Sequence, residues 1–285
     1  AAGLIPAARA ALESIGGSTL LLTKARGDET RCAHAAIEQG ATTIAVLGGD
    51  GTVSQVACEL VRQKSTVPLA IFGAGTGNDF AKSLNAPIHN FAAMTELIAS
   101  TQIFTIDAGR VDDTIFVNSA GFGFDAEVVR TISQTGQFSG KFVYAATAIQ
   151  QLFRYPGFDA RITDSDWIDA RKLSARWLTL VFANGGWFGG AFRIAPAATL
   201  TDGLLDSVFV RDTTAWRRVS IFGRAMGGKH TGLREVGIAQ NSRWTLEFSS
   251  PPVYQADGEL RQAASATVIV SVLPAALRIV SPVPY

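Results

Sequence analysis

One segment, Thr43–Thr52, reads Thr-Ile-Ala-Val-Leu-Gly-Gly-Asp-Gly-Thr and joins a strand pattern to a glycine-rich turn. The run Thr43–Leu47 is apolar on both faces, which is typical of a buried strand in a parallel sheet. Glycines let the backbone approach a ligand closely, and the free N–H groups of the following helix would face that ligand. The segment therefore predicts a phosphate-binding turn. Asp50 would repel a phosphate unless a cation or a donated proton lay between them; the alternative is an ordinary turn in which Asp50 caps the helix.

A second glycine loop, Gly73–Phe80 (Gly-Ala-Gly-Thr-Gly-Asn-Asp-Phe), follows the next apolar run, Pro68–Phe72. Both loops come at the carboxyl ends of predicted strands, where open α/β sheets bind their ligands. Neither loop is a Walker A, because no Gly-Lys-[Ser/Thr] occurs there, and neither fits the Rossmann fingerprint. Asp79 is either a ligand-binding carboxylate or a simple helix N-cap.

Helix and strand patterns alternate through the first hundred residues. The further predicted elements are helices at Ala7–Ile15, Gly27–Gln39, Val53–Arg62 and Phe80–Leu84, and a strand at Thr19–Thr23. This alternation predicts a doubly wound, mostly parallel sheet. Such a domain normally opens with a strand, whereas this sequence opens with a helix, so we expect the first strand to be missing.

The pattern changes after about Asp107, where short strands are separated by turn-rich segments. The predicted strands are Thr114–Ser119, Ser174–Ala183, Leu204–Val210, Arg243–Phe248 and Thr267–Val272, and the predicted helices are Lys141–Phe153 and Thr214–Met226. Such strands favour a mostly antiparallel sandwich or barrel. The predicted organisation is therefore an α/β domain with a doubly wound sheet over residues 1–108, then a β-rich sandwich or barrel domain over residues 109–285, with a cleft between them. The last residues are candidates for packing back on the first domain.

Two further acidic turns lie in the predicted sandwich. Asp202 lies in the turn Thr201-Asp202-Gly203, where flanking backbone carbonyls could face a metal. The turn Asp257-Gly258-Glu259 places two carboxylates around a glycine. By itself, Asp-Gly is an ordinary hairpin turn, so neither segment identifies a function when taken alone.

Four segments taken together resemble the diacylglycerol kinase catalytic-domain family, which includes bacterial lipid kinases and the sphingosine and ceramide kinases. These segments are Gly48–Thr52, Gly75–Ala81, Ala195–Asp206 and Asp257–Glu259, in the family's order and spacing. The similarity covers nearly the whole chain. It implies an ATP-dependent kinase that transfers the γ-phosphate to the hydroxyl of a lipid such as diacylglycerol. It also implies that ATP and Mg²⁺ bind in the cleft between an α/β domain and a β-sandwich.

The resemblance assigns roles to residues of this sequence. The ATP contacts that it implies are Thr23, Gly48, Gly49, Asp50, Gly51, Thr52, Gln55, Gly75, Thr76, Gly77 and Asn78. The magnesium ligands that it implies are Asp50, Asp79 and Asp202 through a water network, and Thr199, Asp202 and Leu204 at a second site. Glu259, with Asp257 beside it, matches the base near the lipid hydroxyl. A carboxylate in this position can take the hydroxyl proton as the transition state forms.

Two departures from the family pattern keep alternatives open. The family usually has Asn-Glu where this sequence has Ser54-Gln55, and a neutral amide can hydrogen-bond but cannot coordinate or repel as Glu does. Of the family's opening Asn-Pro-x-x-Gly loop, only Ala1–Gly3 could be a remnant. The alternatives are an NAD kinase-like enzyme, which shares the Gly-Gly-Asp-Gly-Thr motif, and a catalytically silent lipid-binding module.

Composition restricts the partners further. The chain is 47% hydrophobic and 17% charged, which excludes disorder, and its net charge of +1 gives no bulk attraction to nucleic acid. Two cysteines without a Cys-x-x-Cys spacing predict reduced thiols and a cytoplasmic protein.

Contact with the inner membrane face is expected to be peripheral, because the sequence contains no predicted membrane span. The predicted helix Thr214–Met226, with Trp216, Arg217, Arg218 and Arg224, is the candidate docking element, and a homodimer is left open.

Overall fold

The computed structural model describes residues 2–13, 15–25, 27–100, 102–135, 141–163 and 174–282. Its α-helices are α1 (Ile5–Glu13), α2 (Asp28–Glu38), α3 (Asp50–Arg62), α4 (Asp79–Ser83), α5 (Phe91–Ser100), α6 (Phe124–Thr135), α7 (Lys141–Arg154) and α8 (Ala215–Ala225). Its strands are β1 (Ile44–Gly48), β2 (Leu69–Gly73), β3 (Ile103–Val111), β4 (Thr114–Phe116), β5 (Ser119–Gly123), β6 (Phe158–Ile162), β7 (Ser174–Ala183), β8 (Leu205–Arg211), β9 (Val236–Asn241), β10 (Arg243–Phe248), β11 (Val253–Ala256), β12 (Glu259–Gln262) and β13 (Thr267–Val280). No helix in these ranges is long and apolar enough to cross a membrane.

The first half of the chain places the two glycine loops side by side. β1 and β2 are parallel and end together, with Gly48 opposite Gly73. Leu69 and Ile71 of β2 pack in one cluster with α3, whereas Phe72 packs with residues of α5 on the opposite face. Helices therefore cover both faces of these strands, and the α/β prediction is confirmed.

The strand predicted at Thr19–Thr23 is wrong. Residues 18–24 are irregular, and Leu21 and Leu22 are 44% and 50% exposed. In the described part of the sheet, β1 is an end strand that pairs with β2. A short apolar run forms a strand only where a neighbour supplies backbone partners, and no described strand pairs with this run. The predicted helix Ala7–Ile15 corresponds to α1, and its residue 14 lies outside the described residues.

The second half is a β-sandwich, which confirms the prediction of a β-rich domain, and it carries helices on its outer side. Alternate residues of β7 point to opposite sides, so that Phe182 joins an aromatic core with Phe209 and Trp244. Val181 joins a second cluster, which lies under α6, α7 and α8. The sandwich core thus holds the strands together while the outer cluster fixes the helices.

β13 joins the two halves. Its first part pairs with β10, and a register shift between Leu273 and Leu277 redirects it so that Ile279 pairs in parallel with Leu69 of β2. β3 runs antiparallel to β13 on both sides of this shift. The predicted strand Thr267–Val272 is therefore only the first part of β13. The strand extends eight residues beyond the predicted end at Val272, to Val280.

Candidate active site

Asp50 ties the two glycine loops together. It is the first residue of α3, which begins three residues before the predicted start at Val53. Its carboxylate accepts the backbone N–H of Asn78 at 2.7 Å and that of Asp79 at 2.6 Å. The carbonyl of Gly48 accepts the N–H of Ala74 at 2.8 Å. The loop after β2 is therefore anchored on the loop after β1.

The two loops approach each other so closely that glycine is required. A Cβ atom at Gly75 would lie 2.5 Å from the Cα atom of Gly49, and one at Gly77 would lie 2.6 Å from Oδ2 of Asp50. Real Cβ atoms do not come this close to other atoms. The glycines are therefore needed for the two loops to pack against each other, in addition to any close approach of a ligand.

Asn78 fixes the shape of the second loop. Its backbone is left-handed, with φ +53°, and its buried side chain donates to the carbonyl of Gly75 and accepts the N–H of the same residue. Thr76, by contrast, is exposed at the loop tip. The Asn78 amide group already makes hydrogen bonds to the backbone of its own loop. Of these two side chains, the exposed one of Thr76 is therefore more accessible to a nucleotide.

Asp79 connects this loop to the sandwich half. Its carboxylate accepts the N–H of Gly190 at 2.8 Å and lies 3.4 Å from Nζ of Lys82. Lys82 in turn donates to the carbonyl of Gly190 at 2.6 Å. Burial raises the pKa of Asp79, and the neighbouring Asp50 carboxylate acts in the same direction, while the Gly190 N–H opposes both. The contact with the segment after β7 was not predicted from the sequence.

Asp257 organises the turn between β11 and β12. Its carboxylate accepts the backbone N–H groups of Val117, Asn118 and Ser119 at 2.8 to 3.0 Å, and the hydroxyl of Ser54 at 2.8 Å. Burial raises the pKa of this carboxyl, although the four donors stabilise its ionised form. These four hydrogen bonds fix the position of the turn. A catalytic role for Asp257 stays a prediction.

Glu259 lines an open cleft. One carboxylate oxygen accepts the amide of Gln55 at 3.2 Å, and the other accepts Nη2 of Arg261 at 2.8 Å. The cleft has a volume of about 420 Å³ and is lined by residues of α3, β12 and the β3–β4 region, including Arg62 and Thr114. A polar molecule in the cleft would therefore contact both halves of the protein.

Asp202 lies in the loop that precedes β8. It is exposed, and its carboxylate accepts the N–H of Leu204 at 3.0 Å. The loop that carries it is held by Asp107, a buried carboxylate that accepts the N–H groups of Gly203 and Ala275, each at 2.8 Å. The role of Asp107 was missed, although an acidic residue between the apolar residues Ile106 and Ala108 of β3 was a signal for it.

The donor set fits a hydrated magnesium better than a closed metal cage. In the described residues, no group of three or more His, Cys, Asp or Glu side chains could hold a metal ion. Both Asp50 oxygens already accept a backbone N–H. A carboxylate oxygen has a second lone pair, which can accept from a metal-bound water, and Mg²⁺ usually keeps several waters. Metal binding by Asp50, Asp79 and the Asp202 loop stays a prediction.

Thr23 lies in the irregular segment that precedes α2, and α2 contacts the start of α3 through Glu29. Thr23 is exposed, and the segment that follows it is capped by Asp28, which accepts the N–H of Lys24 at 2.8 Å. The next residue, Glu29, lies 3.5 Å from the hydroxyl of Thr52. A nucleotide contact by Thr23 stays a prediction.

Comparisons with known proteins identify the family of this chain. Residues 2–111 match the family model described as "Diacylglycerol kinase catalytic domain", and residues 118–281 match that of the "YegS C-terminal NAD kinase beta sandwich-like domain". A protein of Mycobacterium tuberculosis named "Diacylglycerol kinase" is 30% identical over 254 residues, which are 87% of this chain and 79% of that protein. The chain belongs to the diacylglycerol kinase family.

Other members of the diacylglycerol kinase family are similar over comparable lengths. "Probable lipid kinase YegS-like" of Xanthomonas oryzae pv. oryzae is 31% identical over 82% of this chain and 77% of that protein. The crystal structure of a diacylglycerol kinase from Bacillus anthracis shares the fold with a TM-score of 0.69 at 22% identity, over 92% of this chain and 84% of that one. As a member of this family, the protein is a kinase with an alcohol as its acceptor.

Proposed function

We propose that this protein is an ATP-dependent lipid kinase that transfers the γ-phosphate of ATP to the hydroxyl of a lipid such as diacylglycerol. The observation that supports it best is the position of Glu259, a carboxylate that lines a cleft shared with α3, the helix that begins in the first glycine loop. A phosphate held at that loop would lie at the first turn of α3. An alcohol beside Glu259 would lie at the second turn, where Gln55 contacts Glu259. Phosphoryl transfer depends mainly on such positioning.

The two glycine loops would hold the nucleotide. Backbone N–H groups at the start of α3 face the site in which the phosphates would lie. A bound Mg²⁺ would neutralise charge on these phosphates. Asp50 and Asp79 would hold its water ligands, and Asp202 with the backbone of Thr199 and Leu204 would hold a second ion.

Glu259 would act as the base. As the new O–P bond forms, the hydroxyl loses its proton to the carboxylate, which must lie within hydrogen-bond reach. Asp257 would hold the turn through its bonds to Ser54 and to the backbone of residues 117–119. We assign the two carboxylates different roles because Asp257 binds backbone N–H groups, whereas Glu259 binds only the side chains of Gln55 and Arg261 among the contacts described above.

Peripheral contact with a membrane would bring the enzyme to its substrate. Four exposed apolar residues are proposed to form the docking surface: Ile149, Phe153, Trp216 and Met226. Trp216 is 77% exposed and packs edge-on against Phe153. Neither α7 nor α8 contains an acidic residue, and both contain cations. Such a surface suits a bilayer with anionic headgroups.

Two of the arginines predicted for docking have structural partners instead. Arg218 is buried, donates to the carbonyls of Leu152 and Tyr155, and forms an ion pair with Asp212. Arg217 makes two hydrogen bonds of 2.9 Å to Glu235, which lower the pKa of that carboxyl to about 2. Arg224 is exposed and remains as the cation on α8 that could meet a headgroup.

The direct test measures transfer of labelled phosphate from ATP to a panel of lipid alcohols in mixed micelles, with soluble NAD as a second acceptor. We expect labelled lipid and no labelled NAD, with loss of label when Mg²⁺ is chelated. Label in NAD and in none of the lipids would instead support an NAD kinase. No label in any acceptor, while labelled ATP still binds, would support the catalytically silent module.

A further inference from the structure

The second turn of α3 contacts the turn that carries the proposed base. Ser54 and Gln55 are neighbours on this helix, and each binds one carboxylate of the β11–β12 turn. The Ser54 hydroxyl donates to Asp257 at 2.8 Å, and the Gln55 amide donates to Glu259 at 3.2 Å. These are also the two positions at which the sequence departs from the usual Asn-Glu of the family.

Both partners of this contact sit on rigid backbone. α3 is buried along Val56–Val61, and Asp257 is held by four donors even though its backbone is left-handed, with φ +48°. The Gln55 amide therefore reaches Glu259 from a fixed helix, and Arg261 meets the other oxygen. A carboxylate held by two donors loses rotational freedom.

We propose that Gln55 is a positioning residue, which orients the base Glu259 and, because its amide is neutral, allows Glu259 to ionise without a second carboxylate against it. This inference rests on the proposed function, in which Glu259 takes the hydroxyl proton. It gives a role to a residue that the family resemblance alone leaves in doubt.

Other charged and titratable groups surround the same cleft. They are Arg62 and Cys58 on α3, Asp113 beside β4, Asp257 in the turn and Arg261 on β12. Gln55→Glu would place a new carboxylate about as close to Glu259 as the amide is now. Two carboxylates at such a distance do not ionise independently, so one of them keeps its proton to a higher pH.

The experiment compares the pH dependence of kcat for the wild type, Gln55→Glu and Gln63→Glu. Gln63 is the matched control, because it ends the same helix and its amide donates to a glutamate, Glu59, that is not Glu259. We expect the acid limb of the Gln55→Glu profile to move up by at least about one pH unit, with activity returning at alkaline pH. The Gln63→Glu profile should coincide with that of the wild type. A Gln55→Glu profile that also coincides, or a change confined to KM for ATP, would overturn the proposal.

A second measurement does not depend on catalysis. Urea unfolding at pH 8 of Gln55→Glu, Glu259→Gln and the exchanged pair Gln55→Glu/Glu259→Gln forms a double-mutant cycle. We expect Gln55→Glu alone to unfold at lower urea and the exchanged pair, which again has one amide and one carboxylate, to regain much of the loss. The exchanged pair should remain inactive, since its carboxylate lies on α3. Additive effects would refute the contact, whereas coupling in an enzyme that labels no lipid would refute only the proposed function.

Discussion

At the scale of single residues, the carboxylates of the site differ in what they already bind. Asp50 and Asp257 accept backbone N–H groups and hold loops in place, whereas Glu259 is held by the side chains of Gln55 and Arg261. A carboxylate that anchors backbone contributes to folding as well as to ligand binding. Substitutions at these positions should therefore separate into two classes.

Asp50→Ala should abolish transfer and also lower stability. The variant leaves the N–H groups of Asn78 and Asp79 without their acceptor, which costs about 1–3 kcal/mol for a poorly solvated donor. Labelled phosphate transfer and urea unfolding report the two effects separately, and circular dichroism should be unchanged. Asp159→Ala, at an exposed strand position, serves as the control. Unchanged turnover in the Asp50 variant would contradict the assignment.

Glu259→Gln should reduce kcat by about 10²–10⁴-fold, the usual effect of removing a positioned base. Nucleotide affinity should change little, because the proposed base contacts the acceptor rather than ATP. Steady-state kinetics with a nucleotide-binding assay would check this, with Glu247→Gln on the exposed side of β10 as the control. If ATP affinity collapses instead, Glu259 is a nucleotide or metal residue.

The sequence predicted some site residues and not their mutual contacts. Asp50 was found because its glycine neighbours and flanking strand are local signals. The bond from Gln55 to Glu259 joins residues more than 200 positions apart, and no local pattern encodes such a pair. Asp107 was missed for the same reason, because its partners Gly203 and Ala275 lie far along the chain.

At the scale of elements, a buried chain of side chains supports the β11–β12 turn. Asp125, at the start of α6, accepts the hydroxyl of Thr179 at 3.0 Å and the amide of Gln255 at 3.2 Å. The carbonyl oxygen of the Gln255 side chain accepts the N–H of Gly258 at 2.8 Å. A Cβ at Gly121 would collide with the Asp125 carboxyl, so β5 needs a glycine there. α6 is thus linked to the turn through two side chains.

Asp125 should make the stability of the protein depend on pH. Burial raises the pKa of this carboxyl to about 6, whereas its value in the unfolded chain is about 4. The folded state therefore binds the proton more tightly, and the stabilisation that this provides is complete below about pH 4 and lost as the pH rises through 6. Relative to the wild type, Asp125→Asn should gain up to about 3 kcal/mol in unfolding free energy between pH 4 and pH 7.5. Urea unfolding at both pH values checks this, and a difference that does not change with pH would contradict it.

Element boundaries followed the sequence in some places and not in others. The predicted strand Thr114–Ser119 was wrong, because it covers β4, a bend at residues 117 and 118, and only the first residue of β5. The predicted strands Ser174–Ala183 and Arg243–Phe248 coincide with β7 and β10. The strand predicted at Thr19–Thr23 does not form, and the local apolar pattern could not show that this segment lacks a neighbouring strand among the described residues. The predicted strand Thr267–Val272 stops short of the register shift between Leu273 and Leu277. Beyond this shift β13 pairs with β2, a distant partner that no local pattern indicates.

At the scale of the whole molecule, the helices on the outer side of the sandwich carry the surface that is proposed to contact a membrane. The docking surface combines apolar side chains of α7 and α8 with an exposed arginine. The other two arginines of α8, Arg217 and Arg218, are engaged by Glu235 and Asp212. The apolar residues are therefore expected to contribute most of the binding.

Trp216→Ser together with Phe153→Ser should weaken binding to anionic vesicles by at least about tenfold, because two large apolar side chains no longer enter the headgroup boundary. Arg224→Glu should weaken binding to the same vesicles but not to neutral ones. Vesicle sedimentation measures both, with Arg243→Glu on β10 as the charge control. Equal sedimentation of all variants would mean that the docking surface lies elsewhere.

The path of β13 has a consequence for biosynthesis. β2 borders β1 on one side and β13 on the other, and Ile279, its partner on the second side, is translated long after Leu69. While the ribosome is still making the sandwich, that edge of β2 is an unpaired row of backbone donors and acceptors in the nascent chain. Such an edge readily pairs with the wrong strand. The sheet that contains β1 and β2 can therefore be completed only after the sandwich has been synthesised. Until then, the glycine loops of a partly translated chain follow strands whose sheet still lacks β13.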